Sequence, residues 1–162
     1  NYILRRRPHI SGVIVTSPIF HTPQTKTKIC RAWLEIIANI VPKFKFNNHI
    51  KSEDLSRDLA VVKAYKDDVY IHKNISARLA LDIYRSGKYA LENAGNFNLP
   101  LLLMHGTSDR ITSPSVSKSF AEKVGNMADL VLWKNSYHEL HNETVKNLVI
   151  EKMMAWLKME IN

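Results

Sequence analysis

Three short apolar runs, each bounded by turn-forming residues or a helical pattern, limit the possible folds more tightly than anything else in the chain. Gly12-Val13-Ile14-Val15-Thr16 ends at Ser17-Pro18, Leu101-Leu102-Leu103-Met104 is introduced by Pro100 and closed by Gly106, and Leu130-Val131-Leu132-Trp133 comes later. Because they are continuous rather than alternating, they read as strands buried on both faces of a parallel sheet. Between the second and third, Val116, Phe120 and Val124 recur at helical spacing behind Pro114, a residue that a first helical turn tolerates. After the third, Leu148, Val149, Met153, Trp156 and Leu157 mark the inner face of a final helix, predicted to begin near Asn142 or Glu143. Strands alternating with helices predict an α/β fold with right-handed crossovers.

Residues from about Ile19 to Phe97 break that rhythm, since one connection inside such a sheet usually needs far fewer residues. Ile29, Trp33, Ile36, Ile37 and Ile40 form an apolar helical stripe that stops at Pro42, and Ile75, Leu79 and Ile83 form a second. The predicted organisation is therefore a helix end and core strand over residues 1–18, an inserted helical cap over residues 19–97, and a C-terminal α/β core over residues 98–162. The first eight residues read as the tail of a helix that starts outside the sequence. Arg5-Arg6-Arg7 would place cations at its C-terminal turn, where the helix dipole favours them.

Composition narrows the class. With 45% hydrophobic and 23% charged residues, the chain has the balance of a soluble globular protein, but its 162 residues are few for an α/β enzyme, which usually runs to ~200–250. Cys30 is the single cysteine, so neither an internal disulfide nor a Cys-based zinc site is available. No run approaches the ~18 apolar residues of a spanning helix, and Asn1-Tyr2-Ile3-Leu4-Arg5 lacks the order of a signal peptide. The net charge of +8 could draw the chain to an anionic membrane surface or to nucleic acid. Its lysines are dispersed among acids and lack interleaved aromatics, so no nucleic-acid partner is expected. The expected location is cytoplasmic or at a membrane periphery.

The chemistry gathers in two loops. His105-Gly106-Thr107-Ser108-Asp109-Arg110-Ile111 follows the second strand, and Asn135-Ser136-Tyr137-His138-Glu139-Leu140 follows the third. Both leave C-terminal strand ends, where open α/β sheets form sites. An acid on one loop can orient a histidine on the next, as in an acyl-transfer triad in which the histidine takes the proton of a serine. Asp109 is thus the candidate acid and His138 the candidate base. His105 is expected to pack beneath the acid loop, while Glu139, His141 and Glu143 are expected as helix-start residues. Ser17 and Ser108 offer hydroxyls, yet neither sits on a strained turn of the kind that exposes a nucleophile.

The order Asp then His, with one helix and one strand between, is the order of the α/β-hydrolases. Together with Gly12-Val13-Ile14-Val15-Thr16-Ser17-Pro18, Leu55-Ser56-Arg57-Asp58, Leu101 to Asp109 and Tyr137-His138-Glu139-Leu140, it resembles the C-terminal half of the monoacylglycerol lipase and lysophospholipase family. The resemblance implies the last three strands of that sheet plus a helical cap, and a parent serine ester hydrolase acting on acyl-ester lipids, with no metal or organic cofactor needed. A carboxylesterase or acyltransferase of the same fold, and a non-catalytic α/β binding module, remain as alternatives. The chain departs from the family at the nucleophile. Its five glycines, Gly12, Gly87, Gly95, Gly106 and Gly125, form no Gly-x-Ser-x-Gly. The nucleophile is expected upstream of Asn1, and the oxyanion hole outside these residues too. These residues alone are expected to be inactive, and the open edge of the first strand is expected to pair with another copy or with the N-terminal half of the parent.

Overall fold

A computed structural model describes residues 1–20 and 27–161. Helix α1 (Tyr2–Arg6) leads into β1 (Val13–Thr16). Then come α2 (Lys28–Ile40), β2 (Lys45–Asn47), α3 (Leu59–Asp67), β3 (Asn74–Ser76) and α4 (Ala77–Glu92). The chain closes with β4 (Leu101–Gly106), α5 (Pro114–Val124), β5 (Ala128–Trp133) and α6 (Lys146–Ile161). The main sheet has the order β1-β4-β5, with both pairs parallel. All three apolar runs are its strands, and β4, in the centre, is buried along its whole length.

That burial explains why β4 is continuously apolar. Alternate side chains of a strand point to opposite faces, and here both faces are covered. Leu101 and Leu103 pack with Phe20, Ala90, Ala94, Phe97, Phe120 and Val124 on one side, where α1 adds Ile3 and Leu4. Leu102 and Met104 pack with Leu140, Val149 and Trp156 on the other. The basic end of α1 is occupied locally: Arg5 lies over the Tyr89 ring at 3.7 Å, and Arg7 ends the helix with a left-handed φ of 46°.

The insertion differs in part from the sequence expectation. Besides helices, it contains a two-stranded antiparallel ladder, β2 with β3, that pairs Phe46 with Ile75. Ile75 therefore lies on a strand rather than on the helix with Leu79 and Ile83. The stripe on α2 is divided between two faces. Leu34 and Ala38, with Ile37, pack against Ala77, Ala80 and Leu81, whereas Ile29, Trp33, Ile36 and Ile40 are 72%, 62%, 49% and 75% exposed. The small residues of α4 let α2 approach closely, so the buried face of α2 is one step round the helix from its most apolar one. Further along, α4 meets the segment that follows β1 at Gly87, where a Cβ would lie 1.6 Å from the carbonyl oxygen of Phe20. Residues 21–26, within the expected cap, lie outside the described residues.

The final helix begins at Lys146, after a short 3-10 turn over Leu140–Asn142. The expected start near Asn142 or Glu143 is corrected because the Glu143 carboxylate gathers the backbone N–H groups of Tyr137 in the preceding loop and of Arg57 in the insertion.

Candidate active site

The register of β4 against β5 sets Gly106 opposite Trp133, so the loops leaving these strands emerge side by side. They are then tied together. Thr107 N–H donates to the Trp133 carbonyl at 2.9 Å, Ser108 N–H to the Ser136 carbonyl at 3.0 Å, and Asn135 N–H to Thr107 Oγ1 at 2.8 Å. Glycine is required at 106 by close approach, since a Cβ there would meet the Ser136 and Tyr137 carbonyl oxygens at 2.3 Å. Asn135 takes a left-handed φ of 59°, which asparagine tolerates better than most residues.

Asp109 and His138, the sequence-predicted pair, meet here: His138 Nδ1 lies 2.8 Å from Asp109 Oδ2. The carboxylate is fully buried and surrounded by donors. Its Oδ1 accepts from the backbone N–H groups of Ile111 at 2.8 Å and Thr112 at 2.9 Å. Its Oδ2 also accepts from Thr112 Oγ1 at 2.9 Å and His105 Nε2 at 3.0 Å. Burial alone would raise the Asp109 pKa, but hydrogen bonds from His105, His138 and the Thr112 backbone outweigh it and hold the group well below the usual carboxylate range. Asp109 does not cap α5, whose N-cap is Ser113.

An ionised carboxylate only accepts hydrogen bonds, which settles both tautomers. His138 must carry its proton on Nδ1, leaving the Nε2 lone pair free, and His105 must donate from Nε2. The other nitrogen of His105 then accepts from Ser117 Oγ at 2.7 Å. His105 is fully buried beneath the acid loop, while the His138 side chain stays 18% exposed. The arrangement can therefore accept a proton at one accessible ring nitrogen and stabilise the resulting imidazolium with a buried anion.

Ser17 has a left-handed φ of 43°, but its Oγ is buried without a hydrogen-bond partner, so His138 does not activate it. Glu139 is the N-cap of the 3-10 turn Leu140–Asn142 and His141 lies within that turn, whereas Glu143 follows it and is fully buried; α6 begins beyond all three. The sequence reading missed Thr112, Ser117 and the role of Glu143. Only the Leu55-Ser56-Arg57-Asp58 stretch, which reaches Glu143, carried any prior signal. Among the described residues, no cluster of His, Cys, Asp and Glu could hold a metal ion, and no helix is long and apolar enough to cross a membrane.

Comparison with known proteins places this geometry in context. Residues 1–145 match the family described as "Serine aminopeptidase, S33" (Hydrolase_4). An abhydrolase domain-containing protein of Dictyostelium discoideum is 32% identical over 99% of this chain and 18% of its own length. A putative monoglyceride lipase of Schizosaccharomyces pombe is 30% identical over 93% of this chain and 41% of its own. The crystal structure of the Paleococcus ferrophilus monoacylglycerol lipase superposes with a TM-score of 0.88 at 27% identity, covering 96% of this chain and 62% of that one. The chain thus spans less than two thirds of each.

Proposed function

Since the chain belongs to the serine aminopeptidase S33 (Hydrolase_4) family of α/β-hydrolases, we propose that it carries the acid and base of a serine ester hydrolase acting on monoacylglycerols, lysophospholipids or related acyl-ester lipids. The single observation that carries this reading is the 2.8 Å contact between His138 Nδ1 and a buried Asp109, on loops that leave neighbouring strands in the order Asp then His. In this reading, Nε2 of His138 takes the proton from a serine and returns it to the leaving alcohol. Asp109 holds the tautomer and stabilises the imidazolium.

No Gly-x-Ser-x-Gly occurs among these residues, so in this reading the serine and its oxyanion donors are supplied by sequence beyond them. The relatives named monoglyceride lipase and monoacylglycerol lipase support an acyl-ester lipid as substrate. Residues 19–97 would then form the cap over the substrate.

The test joins this chain to a nucleophile-bearing N-terminal half and measures release of fatty acid from monoacylglycerol. His138→Ala and Asp109→Asn are each expected to lower kcat by roughly 10⁴-fold. The 162 residues alone are expected to resist labelling by a fluorophosphonate. Full turnover by His138→Ala, or stoichiometric labelling of Ser17 or Ser108, would sink the reading.

A further inference from the structure

The backbone on either side of His138 is held on one side by the insertion directly and on the other by Glu143, which the insertion holds in turn. Glu139 N–H donates to the Leu55 carbonyl at 2.8 Å. Tyr137 N–H donates to Glu143 Oε1 at 2.9 Å. Glu143 is held in turn by Arg57. Arg57 N–H donates to Oε1 at 3.2 Å and Arg57 Nε to Oε2 at 3.0 Å, while Arg57 Nη2 donates to Thr144 Oγ1 at 2.9 Å. Thr144 N–H donates to Oε2 at 2.9 Å, and Ser56 Oγ donates to the Asn142 carbonyl at 2.9 Å.

Glu143 is fully buried, and a buried carboxylate is costly unless a cation and donors satisfy it. Burial would raise its pKa, but backbone N–H groups of Tyr137, Thr144 and Arg57, together with the Arg57 side chain, bring it below the ordinary value. The anion is therefore retained, and an apolar side chain in its place would leave three backbone N–H groups and the Arg57 guanidinium without an acceptor. What the anion adds is direction: it fixes the amide immediately before His138 and ties it to a guanidinium carried by the insertion.

We propose that Glu143 and Arg57 are positioning residues for His138, setting the height of its imidazole over Asp109 and making that placement depend on the insertion. The proposal rests on the reading of His138 as the base. Neither residue touches the reacting atoms, so their effect should appear in turnover rather than in binding. A misplacement of about 1 Å at the base can cost on the order of 10²-fold in rate.

Two measurements test this separately from the ester-hydrolase reading. In the polypeptide joined to its nucleophile half, Glu143→Gln and Arg57→Met are expected to lower kcat about 10²-fold with KM little changed, and Arg57→Lys is expected to recover part of the loss. In this chain alone, labelled with ¹⁵N-histidine, the wild type is expected to show a single Nδ1–H tautomer for His138, which both variants convert to a mixture. If the joined wild type hydrolyses no ester, the functional reading fails while the tautomer result still decides the positioning. An unchanged tautomer in folded Arg57→Met would overturn the proposal. So would an unchanged kcat per folded molecule. Should Glu143→Gln not fold, the two Arg57 variants, altered at a partly exposed side chain, decide the matter.

Discussion

Replacing Gly106 by alanine would set a Cβ 2.3 Å from the carbonyl oxygens of Ser136 and Tyr137. Both belong to backbone and neither can swing aside as a side-chain tip can, so the loop carrying His138 must lift off the acid loop. We expect Gly106→Ala to cost about 1–3 kcal/mol or more in urea unfolding, and to lengthen the contact between Asp109 and His138. A variant of unchanged stability would mean that the two loops are less tightly stacked. Asp109 and Glu143 share another expectation. Both have folded pKa values below their ordinary ones, so the unfolded chain binds more protons and stability rises with pH. Their contribution is fully present above the unfolded carboxylate range near pH 4 and is lost as pH falls below it toward the folded values. Unfolding midpoints at a series of acid pH values should fall more steeply for the wild type than for Asp109→Asn. Asp109 and His138 were legible because each lies on a short loop that directly follows an apolar strand. Glu143 was not, because a carboxylate shortly before a long helix looks the same whether it greets a dipole or an arginine that lies far off in sequence.

Among the elements, α2 shows how far apolar spacing can mislead. Its buried face is drawn by the small residues of α4, Ala77 and Ala80, and by Leu81 next to them, a partner that α2's own sequence does not encode. Leu81→Ala, at a side chain with no exposure, is expected to lower stability by about 2–5 kcal/mol. Ile40→Ala, at a side chain 75% exposed, should change it by no more than about 0.5 kcal/mol. Thermal unfolding of the two would reverse this order if α2 packed through its stripe. The strands were easier to read. Burial on both faces demands continuous apolar residues, which is why Leu101 to Met104 was visible; Leu130 to Trp133 is an equally apolar run although it is only partly buried, and the ends of both strands extend by no more than two residues. The β2–β3 ladder was not, since three-residue strands such as Lys45–Asn47 and Asn74–Ser76 leave too short a pattern to be told from a turn.

For the molecule as a whole, the sheet sets one expectation. Among the described residues β1 pairs with β4 alone, and its other edge presents a Val-Ile-Val run with no charge or proline until Pro18. Unguarded apolar edges recruit strands. Size-exclusion chromatography with light scattering should show these residues associating as concentration rises, and joining them to a chain that supplies the neighbouring strand should abolish it. A monodisperse, folded monomer at high concentration would count against an open edge. The ties from Leu55, Ser56 and Arg57 to the loop around His138 reach across as many as 87 residues, and they bear on the order of folding. Contacts so distant in sequence repay their loop-closure entropy late. The loop around His138 should therefore settle only after the insertion and the sheet have both condensed, with its bonds opening and closing as one. In native-state hydrogen exchange, the amides of Arg57, Tyr137 and Glu139 should share a single opening free energy, while those of α2 exchange through a smaller and separate one.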